Sequence, residues 1–407
     1  MRRINPSNFK RATRTTAREV NRQIALALVA EHQPISRAEL ARQMKVSRGR
    51  ITQLVGGLIE DGMIVESETA SVLPGRGRRP RRLHIRTRDR LVVAIDVRFS
   101  RTYVMLADFA GKQLALEQFA TILDPRKCVR EIAARVRRLL AHHIFDGECE
   151  GIGLLVPGMV DRSAGVVLNA PQLGWRDVAV RDRLAAELGI PVTIENVSLA
   201  CALAQLWLGG AEENASEFVF VTVGDGVGAA VVVNGQLVRG RTHNAGEFGH
   251  VSVDPTGPLC LCGQRGCWEV YTSNLATISR YLGRPFSATS ARGTMRKLPL
   301  TMEDLIARAH DGDARAIASL EEAGHHLGVG LAGIINALNP ARIFIGGEIT
   351  AAWELIAPGM RKAIEARALT AATAATPVTP DQLGGLARLH GATALVKAPL
   401  FAAPVVG

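Results

Sequence analysis

Three of the six cysteines fall within one eight-residue stretch, Cys260-Leu-Cys262-Gly-Gln-Arg-Gly-Cys267, and His250 stands ten positions before it. Three thiolates and one imidazole suit tetrahedral zinc, and Gly263 and Gly266 let the backbone turn tightly enough for the sulfurs to converge. Four protein ligands close the coordination shell, so the expected zinc is structural and pins a long loop at its base. A disulfide is the rival reading; the metal-like spacing and an expected cytosolic setting argue against it. Cys128, Cys149 and Cys201 lie apart and read as buried or free thiols. Glu247 precedes His250 by three residues and Glu269 follows Cys267 by two. A pinned loop would hold both carboxylates near one point, with Asn196 reachable from a strand end, as acceptors for the hydroxyls of a small polar ligand. Otherwise they are ordinary surface acids.

A second chemistry lies in the charge distribution. Residues 1–90 hold 20 Lys and Arg against 8 Asp and Glu, whereas residues 91–407 hold 29 against 30, so the whole net charge of +11 comes from the N-terminal part. Each cation that neutralises a phosphate releases a counterion, which makes a nucleic-acid module the natural reading beside that of a solvated basic tail. Apolar periodicity favours the module. Val20, Ile24 and Leu28 predict a first helix ending near His32, and Ser36 and Glu39 form a capping box for a second helix to about Met44. Ser47 caps a third, with Ile51, Leu54, Val55, Leu58 and Ile59 inward. This is a helix-turn-helix. Arg48, Arg50 and Gln53 then project from the start of the recognition helix as base-reading candidates. Gly56 and Gly57 are expected to pack tightly against a neighbouring helix. Two short strands flank residues 74–82 and form a wing, whose Arg76, Arg78, Arg79, Arg81 and Arg82 suit a narrow minor groove.

Length divided by roughly 150 residues per domain suggests about three domains. The composition, 47% hydrophobic and 21% charged, is that of a folded chain. The longest apolar stretches, 24–30 and 229–233, fall short of the ~18 residues a membrane span needs, and no signal peptide is read, so a cytoplasmic, nucleoid-associated protein is expected. Strand patterns at 91–96, 151–156, 192–195, 218–223, 229–233 and 343–345 are separated by helical ones at 131–142, 181–188, 200–207, 302–309 and 314–338. They predict an α/β body. Glycine-rich turns at 224–228 and 346–347 sit as phosphate loops would, although such turns also serve any tight strand connection.

Gly246-Glu-Phe-Gly-His250, the stretch from Cys260 to Glu269, Pro157-Gly158, Leu173-Gly-Trp175, Glu195-Asn196 and the two glycine turns resemble the ROK family of repressors and sugar kinases over residues 91–400. The winged module with its Gly-Arg-Arg-Pro stretch resembles that of the family's repressor branch, which includes xylose and N-acetylglucosamine regulators. The resemblance implies an actin-like, two-lobed sugar kinase fold behind a winged helix-turn-helix. The expected division is 1–88 for the DNA-binding domain, 89–198 for a small lobe to which the C-terminal helix may return, and 199–407 for a large lobe. It also implies zinc on His250, Cys260, Cys262 and Cys267, sugar contacts from Gly158, Asn196, Glu247, His250 and Glu269, and a homodimer or homotetramer. Departures set this chain apart. Val197 stands where family kinases carry the general-base Asp, and Asp96-Val-Arg98-Phe-Ser100 replaces Asp-x-Gly-x-Thr. Asp225 adds negative charge where polyphosphate would lie. Neither catalysis nor ATP binding is expected, and the reading is a DNA-binding repressor controlled by a sugar or sugar derivative. The alternatives are a sugar kinase with an appended DNA-binding module and an effector-free regulator.

Overall fold

The computed structural model describes residues 14–67, 81–87, 89–143, 147–208, 216–284, 286–287, 300–382 and 387–401. Its N-terminal head contains helices Arg14–His32, Arg37–Met44 and Arg48–Glu60 and an antiparallel sheet of Ile35–Ser36, Arg82–Ile85 and Ile64–Ser67. Local chemistry sets these boundaries. Ser36 Oγ accepts from the Glu39 amide at 3.2 Å and Glu39 Oε2 accepts from the Ser36 amide at 2.7 Å, so the capping box forms. Ser47 Oγ caps the third helix by accepting from the Arg50 amide at 3.4 Å. Ile51, Val55 and Leu58 are fully buried against Leu40, Ile64 and Leu83.

Two expectations for the head are corrected. Ile24 is 41% exposed, and the first helix buries Ala25, Leu26 and Val29 instead, so its inward face is rotated from the stripe of bulky residues. A Cβ at Gly56 or Gly57 would meet nothing within 4 Å, so among the described residues no neighbouring helix demands those glycines.

The body repeats one topology. In the first sheet the strands lie in the order Val192–Asn196, Glu148–Val156, Arg90–Val97, Arg101–Asp108, Gln113–Ala120. In the second the order is Gln236–Leu237, Val227–Val233, Phe218–Val223, Ile343–Gly346, Val378–Pro380. In both, the earliest strand is central, a meander extends to one side, and parallel strands reached by helical crossovers extend to the other. Parallel pairing requires such crossovers, which accounts for the helix Pro125–His142 in one lobe and Ala314–Leu338 in the other. This is the two-lobed α/β architecture that the resemblance implies. A small antiparallel sheet, Met159–Asp161, Val166–Ala170 and Trp175–Ala179, is inserted in the first lobe.

One apolar cluster joins the lobes: Ala94, Met105 and Leu155 from the first meet Phe218, Phe220 and Phe344 from the second, with helices Val197–Leu208 and Ala387–Phe401 contributing to it. Another joins head to body, because Val92 and Phe109 belong to the buried cluster of the head. Arg90 reinforces the junction, its guanidinium 3.8 Å from the Phe109 ring centre and its Nε donating to Glu150 Oε1 at 2.5 Å.

The C-terminal helix is seated without slack. A Cβ at Gly153 would lie 1.9 Å from the Ala392 carbonyl oxygen. Gly153→Ala should therefore push the helix off the first sheet and cost about 1–3 kcal/mol, measured as a lower urea midpoint with an unchanged slope.

Candidate functional site

The cysteine loop converges on one point. Cys262 Sγ and Cys267 Sγ lie 3.6 Å apart, Cys260 Sγ lies 3.7 Å from His250 Nδ1, and all four donor atoms fall within 4.8 Å of one another. A tetrahedron with metal–sulfur bonds of roughly 2.3 Å has edges of about 3.8 Å, so the four groups fit a tetrahedral cation. The backbone is shaped for this. Gly266 adopts φ 64°, and a Cβ there would sit 1.5 Å from the Asp254 carbonyl oxygen. The amide of Trp268 donates to Val251 O at 2.9 Å and that of Cys260 to Gln264 O at 2.8 Å, closing the loop on itself. Burial pushes the Cys267 thiol up to about 11 and Cys260 higher still, with Glu269 adding to the rise at Cys260. A coordinated dication reverses that preference by deprotonating the thiols it binds.

His250 faces two ways. Its Nδ1 meets the sulfurs, while Nε2 lies 3.9 Å from Glu247 Oε2. Beyond it opens a cleft whose lining includes Gly158, Asn196, Glu247, His250 and Glu269, so the five residues expected to touch an effector share one site. Each is held from behind. Gly158 takes φ 87°, and a Cβ there would meet Asn169 O at 2.3 Å. Asn196 Nδ2 donates to Gly158 O at 2.8 Å, and Asn196 Oδ1 accepts from the Ser198 amide at 2.8 Å. Glu269 Oε2 accepts from the Val227 amide at 3.0 Å, and its Oε1 lies 3.7 Å from Cys260 Sγ. Burial pushes the Glu247 and Glu269 carboxyls up, against the pull of His250. Carboxyl oxygens accept from ligand hydroxyls in either protonation state. Val197 lines the same cleft with an isopropyl group, which accepts no proton.

The cleft also contains charges that meet only in the fold. Asp96 is fully buried; its Oδ2 accepts from Arg98 Nε at 2.7 Å and its Oδ1 from Arg388 Nη2 at 2.7 Å. Burial opposes ionisation of Asp96, yet Arg388 and Arg98 hold its carboxyl below the usual range. Arg98 Nη1 donates to Glu348 Oε1 at 2.5 Å. Asp225 is also in the lining, and burial followed by Glu348 pushes it up to about 6. Arg388, Glu348 and Gln172 are lining or network residues that sequence reading missed. Arg388 is 292 positions from its partner, a separation that carries no periodic signal.

On the head, Arg48, Arg50 and Gln53 are exposed along the start of the third helix. Arg76, Arg78 and Arg79 lie outside the described residues. Arg81 and Arg82 are not at a wing tip: Arg81 Nη1 donates to Glu66 Oε2 at 3.3 Å, and Arg82 Nη1 to Glu39 Oε2 at 2.8 Å, which ties the strand base to the second helix.

Because Asp96 has a lowered pKa in the fold, its stabilisation is complete above its unfolded value and is lost as pH falls through the lower folded value. Asp96→Asn leaves two guanidiniums short of a buried partner and should cost about 3–5 kcal/mol at pH 7. In paired denaturation curves the gap to wild type should start narrowing below about pH 4. A gap that widens on acidification would contradict the pairing.

Comparisons place this geometry among known proteins. The chain is 27% identical over 391 residues to the xylose repressor of Bacillus subtilis strain 168, covering 95% of this chain and 97% of that protein. It is 30% identical over 390 residues to the DNA-binding transcriptional dual regulator NagC of Escherichia coli K12, covering 93% of each. A crystal structure of a ROK family transcriptional regulator, a homologue of the E. coli MLC protein, superposes with a TM-score of 0.77 at 25% identity, covering 95% of this chain and 97% of that one. The model of the ROK family matches residues 92–399, most of the chain, and the protein belongs to that family.

Proposed function

We propose that this chain is a DNA-binding transcriptional repressor of carbohydrate genes, controlled by a sugar or sugar derivative bound in the cleft and without kinase activity. The observation that carries the reading is the union of two parts in one chain. An exposed Arg48, Arg50 and Gln53 face sits on a helix-turn-helix, and the body's cleft lacks a base at Val197 and fills with its own guanidiniums at Asp96. A positioned general base contributes typically 10²–10⁴-fold, and a valine supplies none of it. Resemblance over almost the full length to a protein named xylose repressor and to one named a DNA-binding transcriptional dual regulator supports the same conclusion.

In this reading Arg48, Arg50 and Gln53 meet base edges in the major groove, and Arg76, Arg78 and Arg79 approach the adjacent minor groove. Glu247, Glu269, Asn196 and His250 hydrogen-bond the effector's hydroxyls, and the Gly158 backbone approaches it closely. His250, Cys260, Cys262 and Cys267 hold a structural zinc that braces the loop carrying Glu247 and Glu269. Residues 1–88 form the DNA-binding domain and 89–198 and 199–407 the two lobes, with the helix Ala387–Phe401 returning to the first. Two copies in a dimer, or four in a tetramer, present two recognition helices to half-sites about one helical turn or a multiple apart. The protein acts in the cytoplasm on the nucleoid; among the described residues no helix is long and apolar enough to cross a membrane.

Selection of bound duplexes from a random pool at physiological salt tests the reading. It should return a two-fold symmetric site, and binding without sequence preference would overturn it. Arg50→Ala should lower affinity for that site by about 1–3 kcal/mol and relax one base position, whereas Arg79→Ala should weaken binding across sequences with a shallower salt slope. Cys262→Ser should lower the zinc content of the purified protein and blunt the sugar response more than it alters DNA affinity. Full zinc content in that variant would remove Cys262 from the ligand set.

A further inference from the structure

The charges at Asp96 connect separate parts of the molecule. Asp96 lies near the C-terminal end of the strand Arg90–Val97 of the first lobe, and Glu348 follows the strand Ile343–Gly346 of the second. Arg98 spans the gap between them, donating to Asp96 Oδ2 at 2.7 Å and to Glu348 Oε1 at 2.5 Å. Glu348 is anchored in turn, its Oε2 accepting from Asn274 Nδ2 at 3.0 Å. A Cβ on Gly224 would meet Arg388 Nη1 at 3.3 Å and Glu348 Oε2 at 3.9 Å, so the network packs against the glycine turn itself. A second tie crosses the lobes where Arg239 Nη1, just beyond the strand Gln236–Leu237, donates at 2.5 Å to the buried Glu195 of the strand Val192–Asn196. Buried ion pairs add little net stability, but moving one partner away leaves an uncompensated buried charge.

The fourth member of the network, Arg388, lies at the start of the helix Ala387–Phe401. Further along the same helix, Val396 packs on the head's apolar cluster and Lys397 is buried, with Nζ beside Gly111. These two points are eight residues apart, roughly 12 Å along a helix. The segment between them has no room to slide: a Cβ on Gly391 would come within 2.9 Å of the Ala200 backbone, and Gly153 meets Ala392 as described above.

We propose that the Asp96–Arg98–Glu348–Arg388 network is an internal clasp that fixes the two lobes without a nucleotide, and that the helix Ala387–Phe401 carries the state of that clasp to the head. An effector held by Glu247 and His250 shares its cleft with Arg98 and Arg388, so it biases whichever clasp state gives it more contacts. The second half of the proposal rests on the DNA-binding reading, whereas the first half does not.

Hydrogen exchange and DNA titration of the full chain test the halves separately. Glu348→Ala removes the clasp's bond to the second lobe, and Glu348→Gln removes the charge while keeping the shape, in case the alanine variant fails to fold. In either variant the amides of residues 97–100 and 347–352 should exchange roughly tenfold faster than in wild type, with the core of the helix Ala314–Leu338 unchanged. Unchanged exchange at both segments would overturn the clasp whatever the DNA result. Both variants, and Val396→Ala at the far end of the helix, should alter affinity for the selected duplex at least about 5-fold, with exchange at the clasp unaltered in Val396→Ala. Wild-type DNA affinity in all three variants would overturn the relay. Absence of any sequence-preferring duplex for wild type would instead overturn the DNA-binding reading and leave the exchange result to decide the clasp.

Discussion

A carboxylate with no access to water, gripped by two guanidiniums, sets what the cleft of this protein can do. Asp96 is buried completely, so it stays ionised only while Arg98 and Arg388 remain against it. That demand holds Arg98 against the end of its own strand and brings Arg388, from the far end of the chain, to the same point. Two cations that would suit a polyphosphate are thereby engaged by carboxylates of the chain itself, with Glu348 taking a second edge of Arg98 and the Tyr103 ring lying 4.3 Å from its guanidinium. A glycine-rich turn survives at 224–228, but protein side chains pack on it where a phosphate would need open backbone amides.

The other half of the cleft is organised from behind by the cysteine loop. One imidazole belongs to both regions, since Nδ1 of His250 faces the sulfurs and Nε2 faces Glu247. Glu269 is shared in the same manner, through Cys260 on one side and the Val227 amide on the other. The cysteine loop and the cleft lining are thus one structure, joined through His250 and Glu269.

Features encoded within a few residues of one another were legible in the sequence. The capping box at Ser36, the Ser47 cap and the Cys260–Cys267 spacing depend on neighbours, and the structure contains each of them. The five expected cleft residues were recoverable because the family motif records what folding brings together. Less was readable where tertiary context decides. Ile24 fits the apolar period yet faces outward, because small Ala25 lets the first helix approach its neighbours more closely on the adjoining face. The strands Arg101–Asp108 and Gln113–Ala120 were missed; the second is an edge strand with mixed burial and the first carries Arg101, Tyr103 and Asp108 at partly exposed positions. Arg388 and Glu348 gave no local sign at all, since their partners lie in distant parts of the chain.

The central proposal is that the two-lobed body holds an internal ion-pair network where a nucleotide would otherwise bridge its lobes. Calorimetric titration of the intact protein with magnesium and a non-hydrolysable ATP analogue, in the presence and absence of a sugar panel, addresses it most directly. The account predicts no saturable heat from the nucleotide under either condition. Stoichiometric nucleotide binding, strengthened by a sugar, would contradict it.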